Sequence, residues 1–284
     1  MDVGARIDLG ADGDESLAID MLAVPRHLAP VSFDLHKRSA HDVYNPRCVC
    51  IIPRIGEYIV GSTQRSERLG RGAILEGMTL HWSVVVPVKG TADSKSRLAP
   101  DRTRSERAAL AAAFATDAVS VLLEMPDVAE VIVVAPQGKL AADLERRGAR
   151  LVADPGEGLN AAVRAGLAAL RPHDLARAAM LGDLPALRAD AVATALSAAS
   201  AHPLAYVADA DGTGTTLITA TGAHPLVPHF GAGSALRHAA AGHRELGDAA
   251  GAVLRRDVDT EADLDAALAL GVGPATTAAL ALHP

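Results

Sequence analysis

The sequence predicts an α/β protein whose mainly parallel sheet is covered by helices on both faces. Short apolar, β-branched runs recur after residue 78, as in WSVVVPV (82–88) and EVIVV (130–134), and read as buried strands. Alanine-rich stretches with apolar positions at helical spacing separate them. Alternation of the two at this length requires βαβ crossovers, and so parallel pairing.

In order, the pattern gives a strand over Trp82–Val88, a helix over Glu106–Leu123, a strand over Glu130–Val134 and a helix over Lys139–Arg147. A strand over Arg150–Ala153, a helix over Leu159–Leu170, a strand over Ala178–Leu181 and a helix over Ala189–Ser200 follow. Leu204–Ala208 and Thr215–Ala220 read as strands and Ser234–Gly242 as a helix. Ala252–Val258 reads as a last strand, leading into a helix over Thr260–Leu270. Sheets of this kind bind ligands beyond the carboxyl ends of their strands. That singles out the loops after Val88, Leu181 and Val258.

The 284 residues (29.1 kDa) fit one large domain or two small ones. Hydrophobic residues at 49 % and charged residues at 21 % exclude a disordered or fibrous chain. A net charge of −7 argues against nucleic acid as a partner, and aromatics at 2 % against single-strand stacking platforms. No apolar run approaches the roughly 20 residues of a membrane span. An acidic start, MDVGARIDLGADGDES, predicts no secretory signal. Two cysteines make no disulfide framework, so a cytoplasmic, reduced protein is expected, with no membrane partner. A homodimer stays open as an assembly state.

Composition changes near Met78. Residues 1–77 hold 7 alanines and 7 isoleucines, while 78–284 hold 52 and 2. The early segment has little periodicity beyond a hairpin-like Val49–Ile52 and Tyr58–Val60. It reads as a poorly ordered extension, or as the product of a start codon placed before a true start at Met78. Its Cys48-x-Cys50 could bind metal with His36 or His41, but lacks the two-to-four-residue gap of structural zinc sites. Residues 78–284 form the predicted folded domain.

Four motifs could carry chemistry. In PVKGTADSKSRLAP (87–100), Lys89, Lys95 and Arg97 follow the first strand. Three cations there suit a polyphosphate; a solvated basic turn is the plainer alternative. Neither GxxxxGK[ST] nor GxGxxG is present. In LGDLPAL (181–187) a strand ends at Gly182-Asp183, and the aspartate is a natural Mg²⁺ ligand or, alternatively, a helix N-cap. In RRDVDTEADL (255–264), Asp257 and Asp259 flank Val258, so an extended strand would put both carboxylates on one side, where they repel unless a cation intervenes. Thr260 with Asp263 forms a capping box. Finally, DGTGTTLITA (211–220) and PHFGAGSALRHAA (228–240) combine glycine turns with Thr213, Thr215 and Ser234, the last at a helix start where free N–H groups suit an anion. Gly212, Gly214, Gly231 and Gly233 would also serve as ordinary turn glycines. His224, His229, His238 and His243 lack ligand spacing, and His238 and His243 read as helix-surface residues.

VPVKGTADSKSRL, GDLPAL, DGTGTTL, HFGAGSALRH and DVDTEADL, in this order, resemble the family of phosphoenolpyruvate or 2-phospho-L-lactate guanylyltransferases, which act in biosynthesis of the deazaflavin coenzyme F-420. The resemblance covers about residues 80–280. It implies a GT-A-like nucleotidyltransferase fold, a Rossmann-like three-layer α/β/α arrangement with a mostly parallel sheet. It also implies that Asp183, Asp257 and Asp259 hold Mg²⁺, that Thr215, Gly231 and Ser234 bind the phosphorylated acid, and that Lys89, Lys95 and Arg97 meet the GTP phosphates. Lys95 joins the three aspartates as a catalytic residue. Asp154, Asn160 and Gly182 are further candidate nucleotide contacts, with backbone groups after Ala135 and the segment Asp154–Asn160 expected to read guanine. GAG before Ser234 departs from a more polar spacer and bears on the choice of acid: phosphoenolpyruvate, 2-phospholactate or 3-phosphoglycerate. Rival readings are another GT-A-type enzyme, disfavoured because the first loop is lysine-rich rather than glycine-rich, and a non-catalytic GTP sensor, disfavoured by the complete aspartate set.

Overall fold

The computed structural model describes residues 80–88, Leu98, 102–171 and 175–282, all within the compact unit Leu75–Pro284. The expectations for residues 1–77 and for Lys89, Lys95 and Arg97 lie outside the described residues. Among those described, no helix is long and apolar enough to cross a membrane.

The elements run β1 (Trp82–Pro87), α1 (Arg104–Leu123), β2 (Val128–Ala135), α2 (Lys139–Arg146), β3 (Arg150–Ala153), α3 (Leu159–Ala168), β4 (Ala176–Met180) and α4 (Ala189–Ser200). They continue as β5 (Leu204–Ala208), β6 (Thr215–Thr221), α5 (Ser234–Ala240), β7 (Arg244–Glu245), α6 (Gly251–Arg255), α7 (Glu261–Leu270) and α8 (Pro274–Leu282). The seven strands form one sheet in the order β3-β2-β1-β4-β6-β5-β7. Pairing is parallel from β3 through β4 and between β5 and β7, while β6 lies antiparallel to both its neighbours. Six strands therefore end at one edge, and β6 alone begins there.

Alternation along β1 separates the two cores. Trp82, Val84 and Val86 pack with Ala118, Val119 and Leu122 of α1 and Val192, Ala195 and Leu196 of α4. Val85 faces the opposite layer, with Ala162 and Val163 of α3 and Phe230 and Ala235 around α5. That is period-two burial on a sheet sandwiched between helices. A third cluster, Leu98, Leu110, Phe114, Val253, Val258 and Leu264, seats α7 and the segment before it. Burying each such large side chain contributes roughly 1.5–3 kcal/mol.

Three differences from the sequence reading stand out. Ala252–Val258 is not a strand: Gly251–Arg255 makes a helical turn, and the chain then extends through Asp257–Asp259. β7 and β6 already occupy both sides of β5, and a short apolar run with Val253 and Leu254 buried is compatible with either backbone. The helix α8, with Pro274 at its first position, was not anticipated. The first helix begins at Arg104 rather than Glu106, because Thr103 and Glu106 close a capping box.

Candidate active site

A cleft of about 440 Å³ opens where the strands end, within the usual range for small-ligand sites. Pro87 and Val88 line it at the end of β1, and Leu181, Gly182 and Asp183 after β4. The Leu181 N–H donates to the Thr216 carbonyl (2.9 Å), extending the β4–β6 ladder one residue beyond Met180. A Cβ on Gly182 would stand 3.2 Å from Val86 Cγ1 and 3.3 Å from the Pro87 carbonyl oxygen, so glycine lets this strand end lie close against β1. Asp183 follows. It is no helix cap, since α4 starts at Ala189 with Arg188 at the N-cap.

Asp257 and Asp259 reach the same cleft from the segment after α6. Sheet register does not position them. Val258 between them is fully buried, and its N–H donates to the Asp183 carbonyl at 3.1 Å. Behind it, Thr260 and Asp263 form the expected capping box of α7. Burial, followed by the charges of Asp183 and Asp259, pushes the Asp257 carboxyl up to about 7. Like charges crowd one another here. Among the described residues no three His, Cys, Asp or Glu side chains close around a single metal position; the three aspartates share a cleft without forming a complete cage.

A fourth aspartate, Asp209, was missed from sequence. Its Oδ1 accepts from the Thr213 N–H (2.9 Å) and its Oδ2 from the Gly214 N–H (2.8 Å), two side-chain-to-backbone bonds that close the loop of the β5–β6 hairpin. A Cβ on Gly214 would lie 2.2 Å from Asp209 Oδ2, so any side chain there would displace the carboxylate. The signal was the run Asp209-Ala-Asp-Gly-Thr-Gly.

Thr213, Gly214, Thr215, Phe230, Gly231, Ala232 and Ser234 complete the wall. Three side chains fix the 229–232 loop. Asn160 receives the Phe230 N–H (2.8 Å) and donates to the Phe230 carbonyl (3.0 Å); Arg237 donates to the carbonyls of His229 and Ala232; His238 Nε2 accepts from the His229 N–H at 3.0 Å. The expectation of free N–H groups at the start of α5 does not hold for its first two residues: Ser234 N–H donates to Gly231 O and Ala235 N–H to Thr213 O.

Nine residues singled out in the sequence therefore meet in one cleft: Gly182, Asp183, Thr213, Gly214, Thr215, Gly231, Ser234, Asp257 and Asp259. Asp154 and Asn160 are not among its lining residues. Asp154 Oδ1 accepts from the Gly156 N–H, and the Asn160 amide serves the Phe230 loop. His238 and His243 are corrected too: both are buried rather than on the helix surface. His238 Nδ1 lies 3.0 Å from Thr215 Oγ1, and His243 Nδ1 donates to the His238 carbonyl.

Fold and cleft together define a GT-A-like nucleotidyltransferase. The family model for a MobA-like NTP transferase domain matches residues 107–258. A phosphoenolpyruvate guanylyltransferase of Streptomyces scabiei is 47 % identical over 210 residues, 71 % of this chain and 97 % of that protein. One from Thermomonospora curvata is 48 % identical over 209 residues, 72 % and 91 % of the two chains. The chain belongs to the phosphoenolpyruvate guanylyltransferase family. Among solved structures, a nucleotidyl transferase from Methanothermobacter thermautotroptrophicus matches with a TM-score of 0.42 at 20 % identity, covering 66 % of this chain and 98 % of that one.

Proposed function

We propose that this protein condenses GTP with phosphoenolpyruvate, giving enolpyruvyl-diphospho-5'-guanosine and pyrophosphate, as a step in biosynthesis of coenzyme F-420. The observation that carries the reading is the meeting of an aspartate set with the Thr215, Gly231 and Ser234 wall in one cleft. The phosphate of the acid attacks the α-phosphorus of GTP. Because it is already an anion, no general base is needed, and catalysis reduces to positioning and charge neutralisation.

The described lining of the cleft holds four aspartates and no lysine, arginine or histidine. Two polyanionic substrates cannot enter such a surface without a cation, and the donor set of hard carboxylate oxygens fits Mg²⁺, which keeps waters and takes substrate phosphates alongside one or two carboxylates. An incomplete cage suits that habit. Asp183, Asp257 and Asp259 would hold the ion; when bound, it neutralises phosphate oxyanions. Thr215, Gly231 and Ser234 orient the acid. Lys89, Lys95 and Arg97 neutralise the GTP phosphates and the departing pyrophosphate. A second cavity of about 150 Å³, lined by Ala135–Ala141 and sharing Ala111 with the main cleft, supports a base-binding role for the loop after β2.

Pyrophosphate release from GTP with phosphoenolpyruvate, 2-phospholactate or 3-phosphoglycerate, with mass detection of the product, tests the assignment. The expected order puts phosphoenolpyruvate first and leaves ATP a poor donor. Release with none of the three acids, or comparable kcat/KM for ATP and GTP, would overturn it.

A further inference from the structure

His238 sits on α5 with no exposed surface, among the rings of Tyr206, His229, Phe230 and His243. Its two nitrogens have different partners. Nε2 lies 3.0 Å from the backbone N–H of His229. A backbone N–H can only donate, so Nε2 must present a lone pair. A neutral imidazole with its lone pair on Nε2 carries its proton on Nδ1. Nδ1 is 3.0 Å from Thr215 Oγ1, and the N–H therefore donates to that oxygen. Ser234 Oγ donates to the same oxygen at 3.1 Å.

A hydroxyl has two acceptor sites and one proton. Both acceptor sites of Thr215 Oγ1 are taken from within the fold, by His238 and Ser234. Its proton is what remains, on a residue that lines the cleft. We propose that His238 is a positioning residue: by donating from Nδ1 it fixes Thr215 as a hydrogen-bond donor into the cleft, toward an oxyanion of the bound phosphorylated acid. The inference rests on the guanylyl-transfer reading above for the identity of that acid, though not for the proton assignment. Burial, then the neighbouring His243, His229 and Arg237, hold the His238 ring down to about 3, so the neutral tautomer persists at physiological pH. Protonation would set an N–H at Nε2 against the His229 N–H.

Two measurements on the full chain test this. In protein labelled with ¹⁵N-histidine and free of substrate, with His238 assigned by its loss in His238→Asn, long-range proton–nitrogen correlations should show a protonated Nδ1 and a bare Nε2. The opposite tautomer, or an imidazolium near neutral pH, would overturn the proposal. The second is a KM-against-kcat comparison. His238→Asn keeps an amide N–H near the Nδ1 position; His238→Gln and His238→Phe do not. The last two should raise KM for phosphoenolpyruvate about tenfold or more, leaving KM for GTP nearly unchanged, while His238→Asn recovers most of the loss. Equal loss in all three variants would reduce His238 to a packing residue and end the proposal. Should the wild-type chain release no pyrophosphate from GTP and phosphoenolpyruvate, the substrate reading fails, and the tautomer spectrum alone still decides the wiring.

Discussion

Among the described residues, two settings of aspartate carboxylates treat the charge in opposite ways. Asp117, on α1, is 5 % exposed. Its Oδ1 accepts from the Ala275 N–H (2.9 Å) and its Oδ2 from the Thr276 N–H (2.8 Å), at the first turn of α8. A Cβ on Gly273 would lie 2.3 Å from Asp117 Cγ, so the chain approaches the carboxylate as closely as glycine allows. Asp257 stands instead beside Asp183 and Asp259, and burial and those charges raise its pKa. One carboxylate takes two donors and the field of a helix N-terminus; the other has like charges beside it that a backbone donor only partly offsets. A buried acid that serves the fold is satisfied by the fold. Where like charges meet instead, the fold leaves the charged form of the acid disfavoured.

Removing charge at the two places should therefore have opposite consequences, and the largest effect belongs to the cleft. Asp257→Asn or Asp259→Asn should lower turnover by on the order of a hundredfold or more. The double variant should lose little beyond the worse single one, because the carboxylates act together. Metal-free melting temperature should hold or rise as repulsion is relieved. Near-normal turnover with ordinary magnesium dependence in Asp257→Asn would remove the metal assignment. At the other place, Asp117→Ala should destabilise the protein by about 2–3 kcal/mol by stranding the buried N–H groups of α8, while activity per folded molecule survives. Chemical denaturation with an activity assay separates the two; an unchanged midpoint would show that the α8 contact contributes nothing.

A smaller effect is set by pH. His238 titrates near 6.5 in an unfolded chain and at about 3 in the fold. The unfolded state thus binds more protons between those values, and this contribution to stability is complete above 6.5 and lost as pH falls toward 3. His243, also lowered by burial, adds in the same direction, whereas Asp257 opposes it. Melting curves from pH 7 to 4 should show a shallower acid loss in His238→Asn than in the wild type; parallel curves would contradict the buried neutral ring. Smallest of all, a chain beginning at Met78 should turn over within about twofold of the full chain, since every site motif follows it. Precipitation or major loss of activity in that chain alone would make the early segment part of the enzyme.

Most of the architecture was legible because strand and helix periods differ plainly in runs such as WSVVVPV and in the alanine-rich helices. Gly182-Asp183 and Asp257-x-Asp259 stood out as breaks in such patterns. What stayed hidden depends on partners distant in the chain. Ala252–Val258 fits either backbone until β5 is seen to have both neighbours. His238 looks like a surface residue on a seven-residue helix because its partners, the His229 N–H and Thr215, come from a loop and a strand that periodicity cannot join to it. Asp117 resembles any polar helix position until α8 arrives from 158 residues away.

The bond between the Val258 N–H and the Asp183 carbonyl has a mechanical consequence. It yokes two acidic loops whose side chains push each other apart, so neither loop can swing outward without straining the other. Solvent exchange of that single amide proton would consequently report separation of the two loops, at a position that carries no charge.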